Sequence, residues 1–241
     1  GTQRMTRAVG KAVAMDLIEG GLASDEIVTV WLHHREGPSE DDALLSRRAN
    51  THVQRWTDLA DIEPPDYGTI AMILLDGAAN PVDGVEAFAS WLNGLQREPA
   101  RILTVVHCAL TERHPETLVP WHEACIHFSD AVLLNNREGV ANKWLRDFVL
   151  EFERKCFPCI FENVKHGRVT NPAVILNPQP RRISHIFDDV DAADAFDDDP
   201  EELPDEVIDL IPPVDPYFER NAAGGRMKRV PDVAALLNRE A

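Results

Sequence analysis

The chain has 241 residues, 44% of them hydrophobic, and a formal net charge of −17. That length suits one large α/β domain or two small ones. The carboxylate excess argues against nucleic acid as a partner, because that binding needs Lys and Arg to neutralise phosphates. No apolar run approaches the ~20 residues that span a bilayer, and no charged-then-apolar leader opens the sequence, so no membrane partner and a cytoplasmic setting are expected.

The first 22 residues, GTQRMTRAVGKAVAMDLIEGGL, read as a helix. Met5, Val9, Ala12, Val13 and Leu17 recur near helical spacing, and Gly20-Gly21 stop it. Glu26 to His34 (EIVTVWLHH) reads as a strand. After a loop, residues 43–62 (ALLSRRANTHVQRWTDLADI) read as a second helix ended by Pro64-Pro65. Tyr67 to Gly77 reads as a strand buried at Ile70 to Leu75, followed by a turn and a helix with Val85, Phe88, Ala89 and Leu92 on one face. A helix standing ahead of the first strand is unusual for a doubly wound sheet, which ordinarily begins with a strand feeding that helix.

From Pro99 to Val140 the order is strand, loop, helix, strand. The short branched runs Ile102–Val106 and Ala131–Leu134 suit strands covered on both faces. An amphipathic helix around Trp144, Phe148, Val149 and Phe152 follows, then CIFENV as a further strand. Strands alternating with helices imply right-handed crossovers and a mostly parallel sheet of five to seven strands, with helices on both faces.

From Asp188 to Glu219 there are 14 Asp and Glu and no Lys or Arg; without that segment the body carries a charge of about −3. Two units are therefore expected: an α/β domain over 1–187 and an acidic, Pro-rich, irregular extension over 188–241. Its apolar pieces EVIDLI and VPDVAALL suit docking on the body or on a partner, including a second copy of the chain. Its basic patch, Gly224 to Arg229, suits folding back on nearby acids or binding an acidic neighbour.

Three segments carry a family resemblance. DGAANP (Asp76 to Pro81), TVVHCA (Thr104 to Ala109) and SDAVLLNNREG (Ser129 to Gly139) follow in the order found in the CobW-like GTPases, P-loop proteins of metal-chaperone and cofactor-assembly type. Over Asp66 to Phe152 the chain resembles that family, with its nucleotide motifs eroded or truncated. The resemblance implies a three-layer, doubly wound P-loop-NTPase-like fold. It also implies GTP or another nucleotide with Mg as ligand, and weak or lost hydrolysis. On that alignment Arg4 and Thr6 contact phosphates, Asp76 holds the metal, and Asn135 and Glu138 contact the base. The departures are plain. The Asn-Lys-x-Asp base motif is represented by Asn135, Asn136 and Glu138, the glycine-rich phosphate loop GxxxxGK[ST] is absent, and so is the family's Cys-x-Cys-Cys metal motif.

The residues also admit plainer readings. Asp76 before Gly77 suits a turn that bonds its own backbone. Cys156 and Cys159 have redox spacing but follow a helix, where the dipole disfavours a thiolate, and read better as structural thiols. His122 and His127 are five apart, roughly 140° around a helix, which is wrong for paired metal ligands. A metal site that borrows His107, Cys108 or His114, and a non-enzymatic scaffold whose tail mediates oligomerisation or docking, remain as alternatives.

Overall fold

The computed structural model describes residues 2–38, 40–66, 68–188 and 214–240, with side chains from Gly10 to Arg239. Arg4 and Thr6 therefore belong to a described helix, but their side chains lie outside the described residues, as does the whole of EVIDLI.

Helix α1 (Thr2–Gly21) buries Val13 and Leu17 of the expected stripe, together with Ala14 and Ile18; Ala12 is half-buried, and the side chains of Met5 and Val9 lie outside the described residues. At its end the backbone meets a short helix, α7 (Pro172–Leu176), so closely that a Cβ on Gly21 would fall 2.6 Å from Leu176 Cδ1. Strand β1 (Ile27–His33) follows, buried at Val28, Val30, Trp31 and Leu32. The helix expected over 43–62 does not form. Helix α2 (Glu40–Leu45) stops early, and Thr51–Trp56 is strand β2, paired in parallel with β1 from Val28↔Thr51 to His33↔Trp56. Val53 and Trp56 then enter different apolar clusters on opposite faces, and this burial overrides helical spacing.

Strand β3 (Thr69–Leu74) pairs in parallel with the other edge of β1. Helix α3 (Pro81–Gly94) starts on Asn80, whose Oδ1 accepts from the Val82 amide at 3.0 Å. Strand β4 (Leu103–His107) leads into α4 (Cys108–Arg113), a helix in the stretch expected to be loop, and α5 (Pro115–His127). Then come β5 (Ala131–Asn135), α6 (Asn142–Arg154), β6 (Ile160–Lys165) and the two-residue β7 (Arg168–Val169). Helix α8 (Ala234–Glu240) closes the described chain.

The fold is α/β with mostly parallel strands, but not one continuous sheet. Among the described residues the strands form two sheets, β2-β1-β3 and β4-β5-β6-β7, with only β7 antiparallel. Helices join what the strands do not. Under α1, Val13 and Leu17 pack with Ala131 and Leu133 of one sheet, while Ile18 packs with Val28 and Val30 of the other, and Met72 of β3 touches both groups. On the opposite face, Trp91 of α3 packs against both the Trp31–Trp56–Ile62 cluster and the cluster that takes in Ile102.

The described part of the C-terminal extension, 214–240, packs back on the body. Tyr217 is buried among Val82, Ala89, Ala124 and Phe128, and Val233 and Leu237 pack against Leu110 and Leu118. At the amino ends of the strands, the buried Asp130 accepts from the Ile102 and Arg181 amides, each at 2.7 Å, and pairs with buried Arg182 at 3.4 Å.

Candidate functional site

The carboxyl ends of β1, β3, β4 and β5 share one rim. Ala78, just past β3, packs near Leu110, just past β4, so the two sheets run in the same direction. Lys11 of α1 reaches this rim, donating to the Gly37 carbonyl at 2.9 Å and to Asp42 at 2.7 Å. Gly10 lies near Leu74, while at the opposite rim Arg48 donates to the Ile18 carbonyl. Helix α1 therefore runs antiparallel to the strands, with its first turns at the carboxyl rim.

Three of the five site residues expected from sequence end their strands on this rim or just beyond: Asp76, Asn135 and, by its position after Asn135, Glu138. Asp76 adopts the turn geometry. Its Oδ1 accepts from the Ala78 amide at 3.0 Å, and Oδ2 takes a 2.9 Å ion pair from Arg35. Both carboxylate oxygens are thus engaged, so a Mg²⁺ ion there would have to displace Arg35. Asn135 lies beside His107 in the β4–β5 register, and its Oδ1 accepts from the next amide, Asn136 N, at 2.8 Å. Asn136 has φ 50°, which Asn tolerates better than most residues. Glu138 is exposed in the following loop. Arg4 and Thr6 place their backbone in the first turns of α1, on the rim side.

The space between the Asp76 and His107 strand tips is largely bridged. Val233, Leu236 and Leu237 join Ala78, Leu110 and Leu118 in one aliphatic cluster across it. A cavity of about 260 Å³ remains between the Ala78–Asn80 turn and Val230–Val233, below the ~300–1,000 Å³ of ordinary small-molecule sites.

Behind the rim lies a buried imidazole pair. His107 caps α4, its Nδ1 accepting from the Leu110 amide at 3.2 Å, which leaves the proton on Nε2. Thr111 Oγ1 donates to the His107 carbonyl at 2.9 Å and meets His122 Nε2 at 3.0 Å, so His122 donates there. His107 Nε2 and His122 Nδ1 have no hydrogen-bond partner among the described residues. Burial holds the His107 pKa below its ordinary value; burial, reinforced by His107, drives that of His122 down to about 3. Both are neutral side chains of the interior.

The remaining metal candidates disperse. Glu123 pairs with Lys155 at 2.8 Å and Lys228 at 3.5 Å, and His127 Nε2 pairs with Asp215 at 2.8 Å. Burial pushes the Cys108 and Cys159 thiols up to about 12 and that of Cys125 higher still. Cys156 is exposed and follows the C-terminus of α6. Among the described residues no three His, Cys, Asp or Glu side chains gather as a metal site, and no helix is long and apolar enough to cross a membrane.

In the C-terminal clasp, 214–240, the basic patch Gly224 to Arg229 folds back on acids of α3 and α5, one of the two outcomes its charge implied; what sequence reasoning missed is the aromatic anchor at Tyr217 and Phe218. The rings of His127, Phe128, Tyr217 and Phe218 meet in tilted and edge-on contacts, and Lys228 Nζ lies 4.0 Å from the Tyr217 ring centre. Arg226 bridges Asp83 and Glu86 of α3, each at 2.6 Å. The legible signal was charge: GGRMKR follows an acidic run, and α3 and α5 carry Asp83, Glu86 and Glu123. No family model, curated protein or solved structure matches this chain.

Proposed function

We propose that this chain is the body of a nucleotide-binding α/β protein related in architecture to the P-loop NTPases, with weak or lost hydrolysis. The observation that carries this reading is the shared rim. The carboxyl tips of β3, β4 and β5, bearing Asp76, His107 and Asn135, lie beside the starting end of α1, at the place where an open parallel sheet binds ligands. Helix N-termini favour anions, so phosphates belong at the α1 end and the base beside Asn135. Mg²⁺, when bound, would neutralise phosphate charge; of the residues present, Asp76 is the one at the right strand end to hold it, by giving up Arg35.

The C-terminal clasp favours a second reading. Its aliphatic residues cover the rim that the nucleotide would use, as in an interaction protein whose extension is the ligand of its own body. Isothermal titration separates the two. With Mg²⁺ and millimolar GTP, GDP or ATP, the first reading expects saturable heat that grows when Leu237→Asp loosens α8. Absence of heat in both the native chain and that variant would leave the interaction reading.

A further inference from the structure

The two strands nearest the middle of the fold are unpaired on the sides that face each other. β3 pairs only with β1, and β4 only with β5, among the described residues. In a parallel strand, alternate residues direct both N–H and C=O to one side. Half of the main-chain polar groups of β3 and half of those of β4 therefore look across at the other strand with no strand partner there among the described residues. Interior backbone groups are almost always paired. Natural sheet edges are blunted by Lys, Pro or bulges, yet TIAMIL and LTVV carry none of these.

Both faces of this slot are covered. α1 covers one, where Met72, Leu103 and Val105 pack against its Val13–Leu17 stripe. α3 covers the other, where Trp91 reaches the cluster holding Ala71 and Ile73. Even so, every residue of β3 and the first three of β4 are only half-buried, while the β5 strand beyond is buried from Ala131 to Leu134. The sheet is roofed like a continuous one and interrupted at its centre.

We infer that the slot takes one more strand, apolar on both faces and parallel to β3 and β4, and that this strand is polypeptide running directly into α1. The placement of α1 selects this occupant. A strand parallel to its neighbours ends at the carboxyl rim, and α1 starts there and passes back over the slot to the opposite rim. The resulting strand–α1–β1 connection moves across the sheet in the opposite direction to β3–α3–β4 and uses the opposite face, so the two crossovers have the same hand, as parallel sheets require. The combined order becomes β2-β1-β3-slot-β4-β5-β6-β7. A second copy of the chain has no comparable tether at the rim. This inference rests on strand pairing and does not depend on nucleotide binding.

Hydrogen exchange tests it without nucleotide. In the chain as it stands, the alternate amides of 69–74 and 103–106 that face the slot should exchange at least roughly tenfold faster than the paired amides of β1 and β5. The probe is the same chain carrying, ahead of Gly1, a designed Val-Ile-Val-Ile-Val strand and a Gly-Ser turn. Exchange slowed about tenfold or more in both β3 and β4, independent of protein concentration and lost in a Val-Pro-Val-Pro-Val control, supports the assignment. No slowing, slowing in one strand alone, or slowing that survives the proline control overturns it. Protection of the unextended chain that rises with concentration also overturns it, because a second copy then fills the slot.

Discussion

Asp130 shows how much one side chain can fix. Fully buried, it holds the start of β4 through the Ile102 amide and holds the 181–182 segment through Arg181 N and Arg182. Asp130→Ala leaves a buried guanidinium and two amides short of an acceptor, and denaturant unfolding should show a loss of about 3–5 kcal/mol. The His107–His122 pair makes the second prediction. With a folded pKa of about 3 against ~6.5 unfolded, His122 is neutral in the native state while the unfolded chain takes up a proton. Stability should therefore be unaffected by this group above about pH 6.5 and fall as pH drops from there toward 3, by up to ~1.4 kcal/mol per pH unit. His107 shifts in the same direction and steepens the fall. Unfolding free energies measured from pH 7 to pH 4 should give a shallower slope for His122→Asn than for the native chain.

At the scale of elements, the clasp divides into apolar anchors and polar rim. Tyr217, Val233 and Leu237 are buried, whereas the carboxylates met by Arg220 and Arg226 on α3 are exposed. Tyr217→Ala should cost about 3–5 kcal/mol and free 214–230 to a protease, while Lys228→Gln should cost only ~0.2–1 kcal/mol and vanish in high salt. Asp215 adds a pH term. Burial raises its pKa, but donors from His127, Ser184 and the Tyr217 amide outweigh this and hold the carboxyl below its ordinary value. Its contribution is present above the usual carboxylate range and is lost as pH falls through the lowered value, so protease sensitivity of the clasp should rise in acid.

At the scale of the molecule, α1 is the element both sheets share. Leu17→Ala removes a side chain packed on Ala131 and Leu133 in one sheet, next to the Ile18 contact with the other. It should destabilise the chain by about 2–5 kcal/mol, measured by thermal or denaturant unfolding.

The α/β class, the mostly parallel pairing and most helices were readable because a buried strand or a one-sided helix writes its period into the sequence. That VPDVAALL docks somewhere was also readable, as an apolar stripe in an otherwise polar tail; that it docks on its own body was not. β2 was not, because THVQRW becomes a strand only by pairing with β1, a contact with no local signature. Nor was the state of the site residues. Asp76 and Asn135 stand at strand tips as their spacing implied, but Arg35 and Asn136 N already occupy their oxygens, and α8 covers the rim between Asp76 and His107. Local periodicity determined which segments became helices and strands; only the tertiary structure decided which strands pair and which polar atoms stay available. Those outcomes depend on chain segments far apart in sequence, and no window of neighbouring residues encodes them.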